Sequence, residues 1–121
     1  MSKVYVTGIG ITTDLGSGAE ENFKNLTNNE TGITQQQFGN LKPFVGQVGK
    51  SNSDLKEELG FAAEKQISRT ALLGLEAAKE AWQNQPDNEL ISAFINGSTV
   101  GGMDLSENYF KADDQANKAH L

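Results

Sequence analysis

The chain has 121 residues, with 10 Lys and Arg against 16 Asp and Glu, a formal net charge of −6 and a pI near 4.7. That length supplies one modest core, so a single domain over 1–121 is expected, and the negative field argues against nucleic acid or anionic membrane surfaces as partners. The absence of cysteine excludes disulfides, thiolate metal sites and a thiol nucleophile within these residues, and the lone histidine, His120, cannot build a metal cluster by itself.

No charged-then-apolar leader pattern opens the chain, and no apolar run approaches the roughly 18 to 20 residues needed to cross a bilayer. A soluble cytoplasmic protein without metal or cofactor is the expectation.

In chain order, "KVYVTGI" from Lys3 to Ile9 reads as a short buried strand that breaks at Gly8 and Gly10. Ser17 and Glu20 form an S-x-x-E pattern, with Phe23 and Leu26 following at helical spacing, which predicts a short helix over Ala19 to Thr27 opened by a capping box. The following tract is rich in Asn, Gln, Gly and Ser and contains Pro43; its β-like piece lies around Phe44 to Val48. Ile33, Phe38, Leu41, Phe44 and Val45 are too apolar for a solvated tether, so it reads as an ordered excursion.

Asn52, Ser53 and Asp54 offer capping oxygens for a turn or two over "LKEELG". The strongest helix is predicted from about Phe61 to Asn84. Ile67, Ala71, Leu75, Ala78 and Trp82 form its apolar stripe, with Leu72 alongside, the pattern of a central, well-buried helix. Pro86 and Asp87 end it, and "ELISAFING" reads as a strand covered on both faces. A turn with Gly97, Gly101 and Gly102 leads to a final helix capped by Asp104 or Ser106. A long helix between two buried strands predicts a parallel crossover and the α/β class.

The opening glycines do not make a nucleotide loop. Gly8 and Gly10 fit G-x-G-x-x-G, but Thr13 occupies the third glycine position and the helix begins too late to direct its amides at a pyrophosphate. The Walker pattern also fails, because no Gly-Lys-Ser/Thr follows.

Three stretches together carry a family resemblance. "VYVTGIGITTDLGSGAEENFKNLTNNETGI", "SRTALLGLEAAKEAW" and "LISAFINGSTVGGMD" resemble, in order and spacing, the N-terminal part of β-ketoacyl-acyl-carrier-protein synthases from Lys3 to about Asp104. The turn "TTDLG" departs from the commoner form by carrying Asp14 where proline is usual. The resemblance implies an incomplete thiolase-like half-domain and a dimeric acyltransferase. It would condense an acyl thioester with malonyl-acyl carrier protein in fatty acid or polyketide synthesis, using a cysteine nucleophile and two histidines.

On that resemblance the chain stops before the nucleophile, contains no catalytic residue, and should be inactive alone. Val100 falls where the family lines its acyl pocket, although simple core packing would explain it equally well. Lys65 and Arg69 fall where the family presents basic residues to the acidic carrier protein; a solvated helix face is the simpler reading for both. Half of such a core should also expose apolar faces and drive self-association. Two further readings remain open at this level: a non-catalytic partner subunit of the chain-length-factor type, and a free-standing small α/β binding domain.

Overall fold

The structure, a computed structural model, describes residues 3–83 and 93–118. These residues form a small mixed α/β protein, with four helices and two small antiparallel sheets among them. The first sheet is a hairpin of β1 (Thr12–Thr13) and β2 (Gly16–Ser17), closed by Asp14 and Leu15. The second pairs β3 (Ile33–Gln35) with β4 (Phe44–Gly46), with an isolated bridge between Phe38 and Leu41. β4 falls within the β-like piece expected from sequence. β3 was concealed by its polar neighbours.

Helix α1 spans Ala19–Thr27, the range expected, but its N-cap differs. Gly18 is the cap residue, at φ 94°, and no cap side chain bonds the first turn. Few L-residues tolerate that conformation. Ser17 stands one position too early; its N–H donates to Glu21 Oε2 at 2.8 Å, so the Ser17–Glu20 capping box is not formed. The inward side of α1 is polar, with Asn22 buried, while Phe23 and Leu26 are exposed.

Helix α2 spans Asn52–Leu59 and opens with a complete capping box, supplied by Ser51 and Asp54. Its exit corrects the long-helix boundary. Gly60 is left-handed, with its N–H on the Glu57 carbonyl and the Phe61 N–H on the Lys56 carbonyl. This Schellman arrangement ends one helix and redirects the chain. Residues 61–68 are therefore non-helical, and α3 runs over Arg69–Gln83. Ser68 Oγ accepts the Ala71 N–H at 3.2 Å, capping α3 from within "QISRT".

Helix α4 spans Met103–Lys118. Its Asp104 caps another helix, because Oδ2 accepts the Arg69 N–H at the start of α3 at 2.8 Å.

The parallel crossover is not formed among the described residues. Both sheets are antiparallel, and neither Lys3–Ile9 nor Ala93–Gly97 lies in a strand. Residues 84–92, which include Pro86, Asp87 and the first part of "ELISAFING", lie outside the described residues, as does His120. Parallel strands need cover on both faces, and the described elements supply none. Val4 is 95 % and Ile95 93 % exposed.

The core is correspondingly small. Leu55 of α2 and Leu72 of α3 are the fully buried apolar side chains among the described residues, both at 0 %. The well-buried stripe expected on α3 is not realised, with Leu75 39 % exposed and Ala71 also exposed.

Candidate functional site at the two glycine turns

The second glycine turn walls a groove against α3. Ser68, Ala71 and Leu75 form one side, and Phe94, Gly97 and Gly102 the other, around an open space of about 570 Å³. Its surface combines the Phe94 ring and the Leu75 side chain with the hydroxyls of Ser68, Thr70 and Ser98. Such a mixture suits a chain-like ligand bound mainly by area and fixed by a few polar contacts. Ser98 Oγ accepts the Gly101 N–H at 2.9 Å, which closes the turn that leads into α4.

Val100 belongs to this turn and is 52 % exposed, but does not line the groove. Its carbonyl accepts the Met103 N–H at 3.3 Å. The residues missed by sequence reasoning are Ser68, Leu75 and Phe94. Ser68 carried a signal, as a capping hydroxyl three residues ahead of Ala71.

The two basic residues considered for carrier docking have different surroundings. Lys65 is exposed, its ammonium 4.7 Å from the centre of the Phe61 ring, a cation–π distance. The Arg69 guanidinium faces inward. Nη1 donates to Asn52 Oδ1 at 2.8 Å, and Nη2 donates to the Val48 and Lys50 carbonyls at 2.9 and 3.0 Å. Arg69 therefore fastens the loop before α2 onto α3.

The first glycine turn holds anions, but they belong to the protein. Glu80 of α3 accepts the N–H groups of Ile11 at 2.9 Å and Ala19 at 2.7 Å. Glu76, one helical turn earlier, accepts the Thr12 hydroxyl at 3.0 Å and the Ser17 hydroxyl at 3.2 Å. Donors that a phosphate would require are thus occupied by carboxylates, which supplies a second argument against the nucleotide reading. Gly10 permits this approach, because a Cβ there would overlap the Ala77 carbonyl.

Lys50 completes the cluster, with Nζ 2.5 Å from Glu76 Oε1 and 2.6 Å from Glu58 Oε2. Hydrogen bonds to Glu58 and Glu76 hold the Lys50 ammonium above its ordinary pKa. Burial pushes the Glu76 carboxyl up, but hydrogen bonds from Lys50, Thr12 and Ser17 outweigh it, and the net shift is downward. On the far side of the hairpin, buried Asn22 donates through Nδ2 to the Gly16 and Gly18 carbonyls at 2.9 and 2.8 Å, and its Oδ1 accepts from the Thr13 hydroxyl. Asn25 Nδ2 donates to the Leu15 carbonyl at 2.7 Å. Glu76 and Glu80 lie four residues apart on α3, a spacing visible in the sequence, but their partners some 60 residues earlier are not.

Among the described residues, no group of three or more His, Cys, Asp or Glu side chains is arranged to hold a metal ion, and no helix is long and apolar enough to cross a membrane. Comparison with known proteins finds no matching family model, no matching curated protein and no matching solved structure.

Proposed function

We propose that these 121 residues form the N-terminal part of a condensing enzyme of the β-ketoacyl-acyl-carrier-protein synthase type, an incomplete thiolase-like half-domain. One observation carries the reading. The two segments that the motif order makes central strands, "KVYVTGI" and "ELISAFING", are among the most exposed apolar stretches where they are described, at Val4, Val6, Phe94 and Ile95. Buried-strand composition on an uncovered backbone fits polypeptide that is completed by further packing.

In this reading the condensation chemistry lies outside these residues, since no thiol is present to take the acyl group. The chain supplies scaffold and one wall of an acyl site. The groove between α3 and the second glycine turn is the place for the thioester's acyl tail, with Leu75 and Phe94 providing apolar area and Val100 bordering the turn. Lys65 remains the accessible basic group for an acidic carrier protein. Arg69 shapes that surface through the loop it fastens.

The test is the intact mass and sequence of the native gene product, followed by acyl transfer from acyl-carrier protein. A longer product with a cysteine that becomes acylated, and two later histidines, supports the enzyme. The same length without the cysteine selects the non-catalytic partner subunit. A native product ending at Leu121 that is monomeric and binds no hydrophobic dye overturns the reading in favour of a small binding domain.

A further inference from the structure

The hairpin at Ile11–Ala19 is fastened on two sides by different chemistry. Towards α1 the fastenings are uncharged amides, from Asn22 to Gly16 and Gly18 and from Asn25 to Leu15. Towards α3 they are carboxylates, with Glu80 on the Ile11 and Ala19 N–H groups and Glu76 on the Thr12 and Ser17 hydroxyls. Helix α3 is joined to α2 independently, through Leu55, Leu72 and the Arg69 fork on residues 48–52. A seam that depends on charge therefore separates the hairpin and α1 from α3, whereas the α2–α3 unit loses one ion pair, Lys50 to Glu76, when Glu76 is neutralised and keeps Leu55, Leu72 and the Arg69 fork.

We propose that Glu76 and Glu80 form a latch, and that neutralising them releases the 11–19 hairpin together with α1 from α3 as one unit while α2 and α3 stay packed. Charged groups around the latch bear on its strength. Lys50 pairs with Glu76 and Glu58, Lys79 Nζ donates to the Glu58 carbonyl at 2.6 Å, and Glu21 of α1 holds the Ser17 N–H. Lys50 strengthens the latch by keeping Glu76 ionised. The backbone approach at Gly10 adds van der Waals contact with α3, which is weak atom by atom and follows the hairpin when it leaves. The inference is independent of the condensing-enzyme reading.

The experiment is residue-resolved amide hydrogen exchange on the full 121-residue chain at neutral pH, comparing wild type with E76Q/E80Q. Glutamine keeps an oxygen acceptor but loses the charge-assisted part of each bond. Exchange at Ile11, Gly18 and Ala19 should accelerate about tenfold or more, with little change at Leu55 and Leu72. A second variant, T12V/S17A, removes donors from the hairpin and leaves α3 intact; it should produce the same selective loss to a smaller degree. Equal acceleration at both sets of amides, no acceleration, global unfolding of E76Q/E80Q, or a wild-type hairpin no more protected than Lys3–Ile9 would each overturn the latch.

Discussion

The α2–α3 pair and the two strand-like segments make opposite use of apolar residues. In the pair, one leucine from each helix is fully buried, a capping box and Schellman exit fix α2, and Arg69 ties three acceptors together. In Lys3–Ile9 and Ala93–Gly97 the side chains are as apolar, yet they are exposed and their backbones belong to no ladder. Hydrophobicity alone does not build structure. A local element must first present the apolar side chain to a partner, and helices, which satisfy their own backbone, can do this with fewer neighbours than parallel strands.

Several substitutions would break or sharpen that contrast. Leu72→Ala should have the largest effect, about 2–5 kcal/mol by the behaviour of buried leucines, read as collapse of the α2–α3 unit in urea or thermal melts followed by circular dichroism. Arg69→Ala should follow, at about 2–3 kcal/mol for the lost charge-assisted bonds, with exchange at residues 48–52 rising most. Lys65→Ala on the same stretch should leave stability nearly unchanged. It should weaken carrier-protein association if that surface docks one.

Acid should act on the hairpin seam. Glu76 has a folded pKa below its ordinary 4.5, so its stabilisation is present at neutral pH and is lost as pH falls through the folded value. Lys50 is shifted the other way, and its contribution persists until pH rises past its ordinary 10.5. An NMR titration should therefore show hairpin signals moving in acid, with a flat response across neutral pH. Movement centred near pH 6 to 7 would contradict the Glu76 assignment.

Ser51→Ala should cost about 1 kcal/mol, the usual value of an N-cap, detectable as fraying of α2. Smallest of all, Val6→Thr should alter the chain's own stability by under about 0.5 kcal/mol, since Val6 is already exposed. Its measurable effect should be weaker self-association and reduced binding of a hydrophobic dye.

Local signals in the sequence were legible where local physics decides the outcome. The span of α1, the existence of α2 and most of α3 follow from helical spacing and nearby caps. The start of α3 was misplaced because Gly60 and Ser68 act together, one ending a helix and the other opening the next, inside a run that otherwise favours helix. Lys3–Ile9 and the described part of "ELISAFING" lie in no ladder, because a strand is completed by its neighbour, and composition reports readiness to pair without naming the partner. In the site, the glycine turns stood out, while Glu76, Glu80 and Asp104 did not. Each caps or clamps a segment remote in sequence, and nothing local distinguishes such a carboxylate from one facing water.

Asp14, at the hairpin tip, lies against two glycines. A Cβ at Gly32 would overlap the Asp14 backbone, and one at Gly46 would overlap its carboxylate. The tip of the first hairpin thus rests on the base of the second, over a floor kept flat by missing side chains. Positions 14, 32 and 46 consequently form one mutational locus: a methyl group added at 32 must displace the backbone of the tip, and one added at 46 must displace the Asp14 carboxylate. Sequence drift at 32 and 46 is therefore coupled to residue 14, and Gly32, which faces backbone, is the less tolerant of the two glycines.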